Sequence, residues 1–288
     1  MLRSTPSCPA TPSAERVTRA ASRLRAALLA GRREGRRGVG APAPRRSDGY
    51  EFAELREYVE GDDPRRIDWA ATARAGALQT RVILEDRALT LAAVLDASQS
   101  MQVGRKRSCY ELACDAARSW YEAALDDDRC ARIGRQALVL RDVRGRAAAH
   151  ACMLEREPLG TPFDASLRLA LAVLPRGARL LAVSDFFDLE KLLPYLRACT
   201  ARFDVTALLV RDPWHDGWPL GGFVRLRDAE SGRAVRIFVD RKARERFTDA
   251  VASRERDVCE TLRRAGARVG MLDESDGAER AFARTFGI

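Results

Sequence analysis

The run Leu89-Thr90-Leu91-Ala92-Ala93-Val94-Leu95, followed at once by Asp96-Ala97-Ser98-Gln99-Ser100, decides the fold. An apolar run of this length suits a strand covered on both faces, the environment of parallel sheets flanked by helices. The loop behind it places one carboxylate and two hydroxyls at the strand's carboxyl end. These are hard oxygen ligands, which hold Mg²⁺ while leaving vertices for water.

Outward from that strand the pattern alternates. Lys106 to Leu125 reads as a helix, with Leu112, Ala113, Ala116 and Trp120 at helical spacing. Ile133 and Ala137 to Leu140 are strand-like. Ala165 to Leu174 is a helix ended by Pro175. Arg179 to Ser184 is a strand closed by Asp185, Leu189 to Cys199 a helix, and Val205 to Val210 a further strand. Phe223 to Leu226 and Val235 to Val239 flank Glu230-Ser231-Gly232 as a hairpin. Ala243 to Ala265 is a long charged helix, and Val269 to Leu272 a last strand. Alternation of this kind predicts an α/β fold: an open, Rossmann-like, mostly parallel sheet with helices on both faces.

In such sheets ligands bind outside the carboxyl ends of the strands, where strand order reverses. Two further segments should reach that rim. Gly160-Thr161 precedes a helix starting near Asp164 and offers a hydroxyl at a helix N-terminus, while Asp185 ends its strand at the same edge as Asp96. The predicted metal site is therefore Asp96, Ser98, Ser100, Thr161 and Asp185. Neutral hydroxyls from Ser98, Ser100 and Thr161 leave a Mg²⁺ (or Mn²⁺) ion strongly electrophilic. Asp96 and Asp185 would hold its waters, and one octahedral vertex would stay open for an external carboxylate.

Composition narrows the function classes. The 288 residues are 46% hydrophobic and 32% charged, a soluble globular mix. No run reaches the ~18 apolar residues of a membrane span. Near the N-terminus Ala26 to Ala30 is too short for a signal peptide's apolar core, so cytoplasmic residence is expected. Seven scattered cysteines without a Cys-x-x-Cys pair, and only His150 and His215 beside them, argue against a zinc site, a disulfide framework and histidine catalysis. The net charge of +9 is local: residues 1–49 hold eleven arginines against three acidic residues, leaving +1 for the rest. Within that arm, Met1 to Ala14 reads as disordered, Glu15 to Ala30 as a basic helix and Gly31 to Pro44 as a linker. It lacks the aromatic residues of a nucleic-acid stacking platform; weak contact with an anionic membrane is the most it offers, and a docking helix or solvated tail is the plainer reading.

The order Asp96-x-Ser98-x-Ser100, Thr161, Asp185 resembles the metal-ion-dependent adhesion site of von Willebrand factor type A domains. Ahead of it, Glu51-Phe52-Ala53-Glu54-Leu55-Arg56-Glu57-Tyr58, Gly61-Asp62-Asp63-Pro64-Arg65-Arg66-Ile67-Asp68-Trp69 and Thr72-Ala73-Arg74 resemble the signature of the bacterial domain-of-unknown-function 58 family. The resemblance implies a flexible basic arm (1–44), a polar, irregular, family-specific lead-in (45–88) and a von Willebrand factor A-like domain (89–288). Within the lead-in, Ile67 and Trp69 are expected to pack onto the sheet. It also implies a non-enzymatic, Mg²⁺-dependent protein-binding adaptor, working with a MoxR-type AAA+ ATPase in chaperone-like maturation of other proteins. Pro162 after Thr161, and Arg211-Asp212-Pro213-Trp214-His215 in place of an acidic segment, depart from the family pattern.

Two other functions compete. A Mg²⁺-dependent phosphoryl-transfer hydrolase would use Asp96 as nucleophile, but such enzymes place a second carboxylate two residues on, where this chain has Ser98. A nucleic-acid or membrane-surface protein would act through the basic arm.

Overall fold

Alternate residues of one strand feed two different hydrophobic layers, and that alternation fixes where the rim lies. The computed structural model describes residues 14–34, 50–58, 64, 67–85, 88–139, 144–154, 158–212, 221–227 and 232–288. The chain divides into a unit of residues 38–88 and a larger unit made of residues 1–37 and 89–288, so the smaller is inserted into the larger. From the amino end run α1 (Ala14–Glu34), β1 (Tyr50–Glu57), α2 (Trp69–Ala75), β2 (Gln79–Glu85) and β3 (Thr90–Leu95). There follow α3 (Cys109–Glu122), β4 (Arg129–Ile133), β5 (Ala137–Val139), α4 (Gly145–Leu154), α5 (Phe163–Val173), β6 (Arg179–Ser184) and α6 (Leu189–Arg202). Last come β7 (Asp204–Val210), β8 (Gly222–Arg227), β9 (Ala234–Val239), α7 (Arg241–Arg264), β10 (Arg268–Leu272) and α8 (Gly277–Phe286).

The larger unit holds a six-stranded sheet in the order β10-β7-β6-β3-β4-β5, parallel except for the edge strand β5. On β3, Leu91, Ala93 and Leu95 join a core layer with Leu28 of α1, Trp120 of α3, Cys152 of α4 and Phe282 of α8. Ala92 and Val94 face the other way, toward Leu167 of α5, Leu196 of α6 and Leu262 of α7. Helices therefore cover both faces, as the continuous apolar run requires. The chain leaves β3 for β4 and β5 on one side and crosses to β6, β7 and β10 on the other. The seam between β3 and β6 is thus the switch point, where loops diverge and open a crevice.

The basic helix expected over Glu15 to Ala30 is present as α1, over Ala14–Glu34. Leu24 and Leu28, one turn apart on one face, are buried in the larger unit. Arg25 pairs there with Asp128, whose fully buried carboxylate also accepts the backbone N–H groups of Leu89 and Leu125 at 2.6 and 2.7 Å. Residues 1–13 and 35–49 lie outside the described residues.

The lead-in, expected to be irregular, contains an antiparallel pair, β1 with β2. Its strand pattern is hidden in the sequence because a bulge between Phe52 and Glu54 shifts the phase of β1. Asp68 caps α2 by accepting the Ala71 N–H at 3.0 Å. Trp69, expected to pack on the sheet, is 69% exposed as the first residue of that helix. Helices α4 and α8 were not foreseen. The first buries only small residues (Gly145, Ala148, Ala149 and Cys152), which gives little periodic contrast.

Candidate metal centre

Asp96 leaves β3 with its backbone N–H still donating to Val183 O of β6 at 2.9 Å, which delivers its carboxylate to the seam. The side chain is buried and held at both oxygens: Ser98 N–H donates to Oδ1 at 2.9 Å and the Ser184 hydroxyl to Oδ2 at 2.6 Å. Ser184 in turn accepts the Phe186 N–H at 2.9 Å. Burial pushes the Asp96 carboxyl above the usual carboxylate range. Hydrogen bonds from Ser184 and Ser98 pull against it, and the charge of Asp185 adds to the rise.

The hydroxyls converge beside it. Ser98 Oγ and Ser100 Oγ stand 3.0 Å apart. Neighbouring ligands of an octahedral Mg²⁺ with bonds of about 2.0–2.1 Å lie roughly 2.9 Å from each other, so this pair has the span of one octahedral edge. Thr161 is buried and donates its proton to Pro158 O at 2.8 Å, which leaves its lone pairs for a cation. Gly160, in the left-handed region at φ 78°, docks this loop on the first one through its N–H to Ala97 O at 2.8 Å. Helix α5 begins at Phe163 with Pro162 at the cap position, so Thr161 lies one residue ahead of it and does not cap it.

Asp185 follows β6 directly. Its Oδ1 accepts the Phe187 N–H at 3.0 Å, and its backbone carbonyl accepts from Arg254 of α7 at 3.0 Å. Asp96, Ser98, Ser100, Thr161 and Asp185 all line a single cleft of about 470 Å³ at the carboxyl rim. All five sequence-predicted residues are therefore brought together. Among the described residues no three His, Cys, Asp or Glu side chains gather as a metal cluster, so the cleft offers hydroxyls and a carboxylate pair instead. The donor set fits a hard divalent cation: three neutral hydroxyls, with two carboxylates whose mutual repulsion such an ion would relieve.

Ser184 was missed by the sequence reading. Its signal is a lone hydroxyl closing the otherwise apolar strand Leu180-Leu181-Ala182-Val183, opposite the end of β3. Lys191 of α6 also lines the cleft and was not foreseen there.

The family model described as "Protein of unknown function DUF58" matches residues 54–257. An uncharacterized protein of Mycobacterium tuberculosis, Rv1480, is 33% identical over 233 residues, covering 76% of this chain and 73% of its own. A Mycobacterium avium protein, MAV169, is 34% identical over 116 residues, covering 40% of this chain and 69% of its own. Among solved structures, the conserved hypothetical protein BatB from Bacteroides thetaiotaomicron is similar at a TM-score of 0.46 and 18% identity, over 69% of this chain and 97% of that one. A von Willebrand factor type A structure from Catenulispora acidiphila is similar at a TM-score of 0.37 and 16% identity, over 72% of this chain and 43% of that one.

Proposed function

The chain belongs to the DUF58 family, and from that premise we propose that it is a non-enzymatic adaptor whose rim cleft takes a Mg²⁺ ion and, through it, an acidic residue of a protein partner. The observation that carries this reading is the convergence of five oxygen-bearing side chains on one cleft at the switch point, with Ser98 Oγ and Ser100 Oγ an octahedral edge apart. Ser98, Ser100 and Thr161 would hold the ion directly, and Asp96 and Asp185 through water. The ion would supply a Lewis-acidic vertex for a carboxylate from outside. Asp96 is buried with one hydrogen bond to each oxygen, which leaves lone pairs for a metal-bound water, while the position two residues on, where a phosphoryl-transfer enzyme places its second carboxylate, is Ser98. That observation favours binding over the competing hydrolase. The family resemblance supplies the partner class, a MoxR-type AAA+ ATPase, and a role in maturing other proteins.

The test is capture of the host's MoxR-type ATPase by the full chain, in Mg²⁺ and in EDTA, with wild type and with Asp96→Ala. Capture lost in EDTA and lost by the folded variant in Mg²⁺ supports the adaptor. Capture that survives both sinks it.

A further inference from the structure

Helix α7 is longer than the sheet it covers. Its 24 residues span about 36 Å at roughly 1.5 Å per residue, yet its buried residues, Glu255, Val258, Cys259 and Leu262, all lie in the second half. Arg211, just past the carboxyl end of β7, pairs with Glu255 at 2.8 Å and so marks the level of the rim. The first turns of α7 therefore reach past it, while Arg254 still meets the Asp185 carbonyl at its level. The β8–β9 hairpin enters the chain at that same point, between β7 and α7, and packs against α7. Because β7 runs parallel to β6 and β6 to β3, hairpin and helix stand on the edge that carries the metal cleft.

The hairpin presents an unusual face. Phe223 and Phe238 are cross-strand partners with ring centroids 5.1 Å apart, and they are 86% and 60% exposed. Two residues along on the same face, Arg225 lies directly opposite Arg236. Like charges placed this way oppose strand pairing. Among the described residues neither arginine has a carboxylate within ion-pair reach, although paired arginines elsewhere in the chain do. A two-stranded ribbon is marginal in water by itself, so a cation pair beside an exposed aromatic pair weakens an already weak element. An anion seated between the guanidinium groups removes that repulsion. Residues 221–254 hold nine Arg and Lys against five acidic residues, while residues 50–288 as a whole carry +1. The projection is a positive island on a nearly neutral body.

We infer that the outer face of the β8–β9 hairpin, Phe223, Phe238, Arg225 and Arg236, docks an acidic, apolar-anchored polypeptide segment of the partner. This deepens the adaptor reading, on which it rests, by adding a contact that needs no metal. A protein segment fits better than nucleic acid, because the neighbouring cleft is lined by Asp96, Asp164, Asp185 and Asp188 and repels a continuous polyanion. The two rings also meet edge to face, at 63°, and so do not form a flat stacking platform. A second copy docking hairpin to hairpin would set arginine against arginine. An extended segment with an apolar and an acidic residue two positions apart turns both toward one face, so as a strand added to the ribbon edge it can lay the apolar side chain on the phenylalanines and the carboxylate on the arginines.

The experiment uses the full chain in EDTA, where the cleft is silent. Fluorescence anisotropy follows a short labelled peptide repeating valine-serine-glutamate-serine, the same peptide with lysine for glutamate, an oligothymidylate, and phosphatidylglycerol vesicles. The glutamate peptide should bind, more weakly as salt rises, and the other three should not. Phe223→Ser/Phe238→Ser and, separately, Arg225→Glu/Arg236→Glu should each weaken binding by about tenfold or more. No binding of the glutamate peptide, equal binding by both variants, or tighter binding of the oligonucleotide or vesicles through the same residues overturns the inference. Mg²⁺-induced thermal stabilisation, read on the same variants, should be unchanged. Its absence from wild type would count against the metal reading and leave the hairpin result standing.

Discussion

The Ser184 hydroxyl donates to Asp96 Oδ2 at 2.6 Å, joining the ends of two adjacent parallel strands that are far apart in sequence. The carboxylate's direction is set by β6 as much as by its own loop. In metal sites, partners of this outer kind tune affinity nearly as strongly as the ligands.

Ser184→Ala should therefore lower Mg²⁺ affinity by roughly 10–100-fold without removing any proposed ligand. Calorimetric titration of the metal alone checks this, and unchanged affinity would show that the strand-to-strand bond does not matter to the site.

Mg²⁺ should raise the thermal midpoint of the wild-type chain. Saturation at a hundredfold over Kd corresponds to about 2.7 kcal/mol, a shift of several degrees. Asp96→Ala and removal of the ion by EDTA should each abolish the shift. A wild-type melting curve indifferent to Mg²⁺ would exclude tight binding.

Without the ion, Asp96 is a liability. Because burial raises its folded-state pKa, the folded chain binds this proton more tightly than the unfolded chain does. Stability from this group is present in acid and is lost as pH rises through the interval from the ordinary carboxylate value to the raised one. Asp96→Asn should accordingly melt higher than wild type at neutral pH in EDTA. The gap should close as pH falls through that interval, as parallel melts across pH would show.

How much of this was legible from the residues depends on contrast. β6 was read with its observed ends, Arg179 to Ser184, because Pro175 and Gly177 precede it and Asp185 follows. The five rim residues were found because strand ends and loops announce them. Ser184 was not: its hydroxyl closes an apolar strand, but only the pairing of β6 with β3 shows that it faces Asp96. Helix α8 escaped notice because its buried face is only Ala278, Ala281 and Phe282. A docking helix was among the readings of α1, but the sequence did not show which of its arginines would be buried against Asp128. Pairing across a hundred residues leaves no local trace.

That docking has a plain test. Leu28→Ala should destabilise the chain by about 2–5 kcal/mol, and Asp128→Ala, which removes the carboxylate paired with the buried Arg25, by about 3–5 kcal/mol. Urea unfolding measures both. A loosely attached arm would give values near zero for the leucine.

Burial also pushes the Cys109, Cys130 and Cys199 thiols up to about 12, so they stay protonated at neutral pH. Iodoacetamide should leave all three unmodified in the native protein and alkylate them once guanidinium unfolds it. Mass spectrometry of the digested chain distinguishes the two states.

The clasp at Asp128 gives the lead-in a different standing from a leader sequence. One carboxylate grips both Arg25, on the helix from which the chain departs, and the Leu89 N–H, where it returns to begin the sheet. The inserted unit, residues 38–88, is a detour with its doorway already fastened shut. The loop-closure entropy of that detour is therefore met by the host fold.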